Sequence, residues 1–335
     1  MKSYTIATLG SHSALQILKG AKDEGFETLL FAKKDSVLFY KQFSFINSIV
    51  SVSSYREVIN VDSVIKGKQL ILIPHGSFVA YLGEDGNKQL KIPYFGNKKV
   101  LDWEANRHLQ LRWFEEAHIT IPKIFSSTDQ IDRPVIIKSY GAAGGHGYRI
   151  ATTQKELERA KKTFTNNEYL IQEYILGVPI YLHFFYSPLH KKIELLSIDR
   201  RYETNVDGIG RIPLSHQKMI SIDPSFVVVG NSPLVLRESL LPQAFKMADQ
   251  FIKASQTLID KRGIFGPFCL ETIVTPDQQF YVIEASCRIV AGTNLFINGS
   301  PYASLYYDEP MSTGRRIARE IKIGIETKKI NLLLD

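Results

Sequence analysis

The chain has 335 residues, 44% of them hydrophobic and 22% charged, with a formal net charge of +7. That length exceeds one ordinary hydrophobic core and suggests roughly two or three domains, and that balance excludes a disordered or low-complexity chain. No apolar run reaches the ~18 residues of a membrane span, and the first ten residues lack a signal-like apolar stretch. The basic residues are scattered in short runs such as Lys98-Lys99 and Arg315-Arg316, so no stripe for nucleic acid is expected. Only two cysteines occur, Cys269 and Cys287. They are expected as buried thiols in a reducing cytoplasm rather than as a disulfide.

Residues 1–120 alternate strands and helices. Tyr4–Leu9 reads as a short apolar strand, followed by Gly10-Ser-His12-Ser13 and a helical period over 14–24. Further strands are predicted over Thr28–Ala32, Ile49–Val52 and Gln69–Pro74. Apolar strands separated by helices indicate a doubly wound parallel sheet, in which ligands sit beyond the carboxyl ends of the strands. Two loops occupy that position, Gly10–Ser13 and His75-Gly-Ser77-Phe78. Neither is a G-x-G-x-x-G fingerprint. A Gly-Ser-His-Ser turn opening a helix offers N–H groups, hydroxyls and an imidazole to an anion; alternatively Ser11 or Ser13 only caps the helix.

An amphipathic helix is predicted over 102–117, stopped near Ile121-Pro122. The apolar strand that follows ends in Lys138, and a loop containing Gly141, Gly144, Gly145 and Gly147 leads into a return strand at Tyr148-Arg149-Ile150. Such a loop can close its backbone on a phosphate chain, with the lysine directed at the phosphate oxygens. The Walker pattern is absent, and the alternative is a plain hairpin with an exposed lysine.

A helix over 156–163 and strands over Tyr169–Glu173, Ile180–Tyr186 and Ile193–Asp199 come next. The stretch Asp199-Arg200-Arg201-Tyr202-Glu203 through Gly208 has the composition of an active-site loop, or else of a solvated loop whose arginines pair with their acidic neighbours. A long helix is predicted over 244–259 and a final one over 313–326.

Between those helices lies a hairpin pattern, two apolar and β-branched runs flanking Pro276-Asp277-Gln278-Gln279. Thr275 opposes either Gln279 or Phe280. With the second choice Ile273 opposes Val282, Cys269 opposes Ser286, and Glu271 lands opposite Glu284. Opposed residues share a sheet face with Cβ atoms about 5 Å apart. Two carboxylates there must be solvated, share a proton or bind a cation.

A Rossmann-like half, a strand-lysine-glycine loop, the Gln172-Glu173-Tyr174-Ile175 segment and paired late glutamates together resemble the ATP-grasp superfamily. Ser11–Leu18, Pro74–Leu82, His183–Pro188, Asp199–Glu203, Arg237–Pro242 and Arg315–Glu320 are similar to the archaeal formate-dependent synthetases of 5-formamidoimidazole-4-carboxamide ribonucleotide. The resemblance implies an α/β and α+β architecture: a Rossmann-like pre-ATP-grasp domain over 1–120, a small ATP-grasp subdomain with the lid loop over 121–190, and a C-terminal subdomain with the metal hairpin over 191–335. It implies ATP, formate and 5-amino-4-imidazolecarboxamide ribonucleotide (AICAR) as substrates of a cytoplasmic homo-oligomeric ligase of purine synthesis. Nucleic acid and membrane are not expected partners.

The same resemblance implies that Lys138 and the loop bearing Gly141, Gly144, Gly145 and Gly147 hold the ATP phosphates. Glu173, Tyr174 and Ile175 would edge the adenine pocket, and Glu203 would contact ATP. His12, Ser77 and Asn231 would bind the ribonucleotide, and Glu271 and Glu284 would bind Mg²⁺ or Mn²⁺. From charge and placement, Arg200, Arg201 and Arg288 are candidates to hold formate or the transferring phosphoryl group. Many ATP-grasp enzymes carry an asparagine two residues after the second glutamate, where this chain has Ser286, which leaves a second metal ion open. The competing readings are an ATP-grasp ligase for another carboxylate and amine, and an ATP-binding regulatory module without turnover.

Overall fold

The computed structural model describes residues 4–65, 67–139, 148–164, 169–217, 219 and 225–335, the side chains of Glu84 and Ser139 apart. Three sheets organise them. The first contains β1 (Tyr4–Leu9), β2 (Glu27–Lys33), β3 (Ser48–Val52), β4 (Val64–Ile65) and β5 (Lys68–Leu72), in the order β3-β2-β1-β5-β4. The ladders of β1 with β2, β1 with β5 and β2 with β3 are parallel, as the doubly wound pattern predicts. β1 and β5 end next to each other, which brings the loops after Leu9 and after Leu72 together.

A four-stranded sheet, β6-β9-β7-β8, follows from β6 (Ile124–Phe125), β7 (Val135–Ser139), β8 (Arg149–Ala151) and β9 (Tyr169–Glu173). The third sheet has the order β12-β11-β10-β13-β14, from β10 (Val178–Ser187), β11 (Lys192–Glu203), β12 (Val228–Pro233), β13 (Gly266–Val274) and β14 (Phe280–Ser286). β10 pairs with β11 and β13, so a boundary at residue 190 falls between two hydrogen-bonded strands.

Alternation gives the large sheet two different faces. Leu182, Phe184, Ile198, Phe268, Leu270 and Val282 pack against the helix Leu241–Leu258 in a core that also takes in Trp113 and Phe114. Trp113 stacks on Phe251 with ring centroids 4.0 Å apart, and its indole N–H donates to the Phe251 carbonyl. The opposite face is polar and carries Tyr181, His183, Asp199, Arg201, Glu271 and Glu284.

Three elements depart from expectation. The helix read over 102–117 is two helices, Lys98–Ala105 and Arg107–Glu116. Asn106 between them is extended, and its side chain accepts from the backbone N–H groups of His108 and Leu109, so the residue that ends one helix caps the next. Arg200 to Glu203 are strand rather than loop, because β12 extends the ladder alongside them. The hairpin begins in the other register, with the Thr275 N–H donating to the Gln279 carbonyl and Ile273 opposite Tyr281 rather than Val282. A bulge between Glu271 and Thr272 then shifts the ladder by one residue, which leaves Glu271 opposite Glu284 and Cys269 opposite Ser286. Both cysteines are buried free thiols.

The helix Ala14–Asp23 crosses Thr313–Glu326 through glycines. A Cβ on Gly20 would sit 2.2 Å from the Arg315 backbone nitrogen, and one on Gly314 2.4 Å from the Gln16 carbonyl oxygen. Arg315 and Arg319 both close on the buried carboxylate of Glu24 beside this contact. Gly20→Ala is therefore expected to cost about 3 kcal/mol, since both helices are pinned and cannot separate freely. Denaturant unfolding checks this.

Candidate active site

The carboxylates of Glu271 and Glu284 stand at the centre of the polar face. Glu271 is buried and Glu284 half-buried. Arg201, from β11, clamps Glu271 in a bidentate pair, Nη1 to Oε2 and Nη2 to Oε1 each 2.9 Å. Its guanidinium carbon lies 3.7 Å from the centre of the Tyr181 ring, so the cation is sandwiched between a carboxylate and a π face. Among the described residues, no hydrogen bond or ion pair reaches the Glu284 carboxylate. Burial and the charge of Glu271 raise its pKa, while Arg107, Lys138 and Arg201 oppose that rise. Glu271 thus has a bidentate partner, whereas Glu284 has only the longer-range charges of Arg107, Lys138 and Arg201 around it. The Ser286 hydroxyl donates to Glu271 Oε1 at 3.3 Å. Among the described residues, no cluster of three or more histidine, cysteine, aspartate and glutamate residues could hold a metal ion.

Lys138 is buried, not exposed, and donates to Gln172 Oε1 at 3.2 Å across the β7–β9 ladder. Burial, with the charge of Arg107, pushes its pKa down to about 8 against the pull of Glu284 and Glu271. Its ammonium lies 5.6 Å from the Tyr148 ring centre. Gly141, Gly144, Gly145 and Gly147 lie outside the described residues. At the end of β9, Glu173 turns its carboxylate to Arg133 at 2.9 Å, and the Tyr174 N–H donates to the Pro134 carbonyl. Ile175 follows, half-buried. Burial and the charge of Glu203 raise the Tyr174 phenol, which places these two side chains in one electrostatic neighbourhood. The Glu203 carboxyl is pushed up to about 7 by burial and Asp207, with Glu271 adding to the rise.

The second half of the site belongs to the parallel sheet. His12 and Ser77 occupy the neighbouring loops after β1 and β5, with Ser77 Oγ 3.0 Å from His12 Nε2. His12 has φ +44°, an unfavourable left-handed backbone for a residue other than glycine. Strain of this kind costs on the order of 1–3 kcal/mol and persists where surrounding contacts hold it. The Asn294 amide donates to the His12 carbonyl at 3.0 Å. Ser11 Oγ meets both His12 Nδ1 and the Tyr81 hydroxyl. Neither serine hydroxyl caps the helix. The His12 ring stacks 5.7 Å from that of His75, and burial together with Arg288 lowers the His12 pKa.

The arginine candidates separate. Arg201 is in the centre. Arg200 faces the opposite side of β11, exposed and 3.6 Å from Asp207, because neighbouring strand residues alternate. Arg288 pairs with Glu104 at 2.6 Å, and its charge reaches His12 and His75. Asn231, opposite Arg201, donates from Nδ2 to Asp199.

Glu104, Arg107, Tyr181, His183 and Asp199 were not among the expected site residues, although His183 and Asp199 open stretches that carry the family resemblance. The i, i+2 spacing of Tyr181 with His183 and of Asp199 with Arg201 was the available signal for a polar sheet face. Glu104 and Arg107 had none: they lie on the two helices that meet at Asn106, where the residue pattern reads a single helix.

The chain matches two family models, one described as a domain of unknown function (DUF1297) over residues 152–334, the other as a protein of unknown function (DUF1246) over residues 6–125. It is 52% identical over 334 residues to the 5-formaminoimidazole-4-carboxamide-1-(beta)-D-ribofuranosyl 5'-monophosphate synthetase of Pyrococcus horikoshii, covering 97% of this chain and 98% of the relative. The synthetase of the same name from Saccharolobus solfataricus is 47% identical over 336 residues, covering 98% and 99%. Among solved structures, an IMP biosynthesis protein PurP from Thermococcus kodakaraensis superposes with a TM-score of 0.81 at 31% identity, covering 98% of this chain and 100% of that one. The ADP complex of an N5-carboxyaminoimidazole ribonucleotide synthetase shares the fold at a TM-score of 0.67 and 12% identity, covering 96% and 77%. With relatives at about half identity over nearly the full length of both chains, and a solved structure of the same family superposing over nearly the whole chain, the chain belongs to the 5-formaminoimidazole-4-carboxamide ribonucleotide synthetase family, built on the ATP-grasp fold.

Proposed function

We propose that this chain is an ATP- and formate-dependent ligase that formylates the 5-amino group of AICAR in the synthesis of IMP. The observation that carries this reading is the polar face of the large sheet, where Glu271 and Glu284 stand opposed beside Lys138 and Arg201. Formate is a poor acyl donor because oxide would have to leave. Attack of a formate oxygen on the γ-phosphorus gives ADP and formyl phosphate, whose leaving group is phosphate. The ribonucleotide amine then attacks the formyl carbon, and phosphate departs as the amine loses its proton.

Phosphoryl transfer depends on charge neutralisation and alignment. The Glu271 and Glu284 carboxylates fit Mg²⁺ or Mn²⁺, since hard oxygen donors and phosphate oxygens together suit an octahedral ion. Such an ion supplies Lewis-acid neutralisation of the phosphates. Lys138 binds phosphate oxygens, with Gly141–Gly147 proposed as the covering loop. Glu173, Tyr174 and Ile175 edge the adenine site, and Glu203 binds the nucleoside. Arg201 and Arg288 orient formate and the transferring group, and Arg200 has no part. His12 and Ser77 bind the ribonucleotide phosphate, and Asn231 its base. Cytoplasmic location and homo-oligomeric assembly remain part of the proposal; among the described residues no helix is long and apolar enough to cross a membrane.

The test is purified protein with ATP, Mg²⁺, formate and AICAR, with product mass measured. Formation of the formylated ribonucleotide, dependent on both formate and AICAR, is expected. ADP released only with another carboxylate and amine would reject the substrates while keeping the fold.

The loop histidine and the buried lysine each give a separate expectation. His12→Ala is expected to weaken ribonucleotide binding about tenfold, the loss of one hydrogen bond to a charged group, with ATP binding little changed. Equal losses for both ligands by calorimetry would refute its placement. Lys138 is protonated below about pH 8 in the free protein. Raising the pH from 7 to 9 then removes most of its charge and is expected to raise the KM for ATP roughly tenfold. The sign for stability is the reverse: a depressed lysine pKa penalises the folded state fully below about 8, and the penalty fades as pH rises towards the ordinary lysine value of 10.5. Initial rates across that range, at saturating AICAR, check the first effect.

A further inference from the structure

Asp199 is fully buried beneath the polar face, and three groups enclose it. His183 Nε2 lies 2.5 Å from its Oδ1, and Asn231 Nδ2 lies 2.6 Å from its Oδ2. The backbone of Gly292 closes a third side, where a Cβ would stand 2.4 Å from Asp199 Oδ1. Burial works to raise the carboxyl pKa, but the His183 hydrogen bond and charge, Arg201 and Asn231 outweigh it, and the net shift is downward. Asp199 is therefore an ionised, acceptor-only group.

An acceptor-only neighbour decides which way an asparagine points. Asn231 must give its Nδ2 to Asp199, so its Oδ1 is directed elsewhere. Asn231 is half-buried and opposite Arg201 on the site face. The turn Ala291–Phe296 joins this place to the other loop of the site, since Gly292 packs on Asp199 while Asn294 holds the His12 carbonyl. We infer that Asp199, held by His183, is a positioning residue that presents the Asn231 oxygen to the ribonucleotide as a hydrogen-bond acceptor for an exocyclic N–H of its base. Asn231 then selects nucleotides whose base offers an N–H donor at that position over those that offer only oxygen. This inference rests on the proposed function.

Exchange of the two residues tests it. In Asp199→Asn, the His183 N–H fixes the oxygen side of the new amide, whose Nδ2 then faces Asn231. Asn231 must turn its oxygen inward and its amide towards the ribonucleotide, so its polarity is inverted. The KM for AICAR is expected to rise about tenfold or more, with the KM for ATP within about twofold of wild type. In the exchange D199N/N231D, the amide now at position 199 donates to the carboxylate now at position 231, whose second oxygen again faces the ribonucleotide as an acceptor. Recovery of the AICAR KM to within about threefold of wild type is expected, the size of a modest change in one hydrogen bond.

An unchanged AICAR KM in folded Asp199→Asn, or equal rises for AICAR and ATP, would overturn the inference. So would a folded exchange variant that fails to recover. If the exchange variant does not fold by circular dichroism, the KM split in the single variant decides. Wild type is assayed alongside: no formylation of AICAR by wild type sinks the functional reading and this inference with it, whereas an active wild type with an unaffected Asp199→Asn sinks the inference alone.

Discussion

Glu284→Gln is expected to lower turnover by about 10³-fold or more while leaving the protein folded. Neutralising the phosphates by a bound cation contributes several kcal/mol to phosphoryl transfer, and each 1.36 kcal/mol is a factor of ten in rate. Glu284 suits this test because no ion pair among the described residues depends on it, and burial already disfavours its charge. Removing that charge relieves repulsion with Glu271, so thermal stability without metal should be unchanged or slightly higher. Steady-state ADP release and an unfolding scan on the same sample separate the two effects. Retained turnover would remove Glu284 from the chemistry. A regulatory ATP-binding module would differ at the outset, since its wild type releases no ADP and the substitution would alter only the Mg²⁺ dependence of binding.

The second large effect is on folding. Arg201→Met is expected to destabilise the protein by about 3–5 kcal/mol, because it strands the buried Glu271 carboxylate without its bidentate partner. Methionine keeps the stem packed near Tyr181 but supplies no charge. A divalent cation should recover part of this loss, because it would take over the neutralisation that the guanidinium provided. Mg²⁺ with ADP is thus expected to raise the melting temperature of Arg201→Met by more than it raises that of wild type. A variant as stable as wild type without metal would show that Glu271 is solvated or protonated rather than held by Arg201.

Much of the fold was legible in the residue pattern. The strands over 4–9 and 169–173, the apolar strand that carries Lys138 and the final helix over 313–326 follow from local periodicity, which depends only on neighbours along the chain. The same logic made Glu271 and Glu284 recognisable, since a turn and two β-branched runs bring specific residues opposite each other. The ladder near the turn runs one residue away from the register that pairs the glutamates, and the bulge after Glu271 restores it. A bulge inserts a residue without changing composition, so the residue pattern carries little trace of it.

Arg200 and Arg201 show where reading by composition fails. Both are charged neighbours in a polar stretch, and only the pairing of β11 with β12 assigns one to the site and the other to solvent. Lys138 shows the same limit in electrostatic form: its strand and its following loop were legible, but its depressed pKa comes first from burial and then from the charge of Arg107, brought in from a helix earlier in the chain.

The local elements, the opposed glutamates and the family are written in the residue order, because they depend on short-range periodicity and on motifs carried whole in the chain. It took the packed molecule to show that Arg201 clamps Glu271, that Glu104 holds Arg288, and that Asp199 lies between His183 and Asn231. Each of these contacts joins residues of different elements, and the free energy of burying a charge depends on which partner is there to receive it.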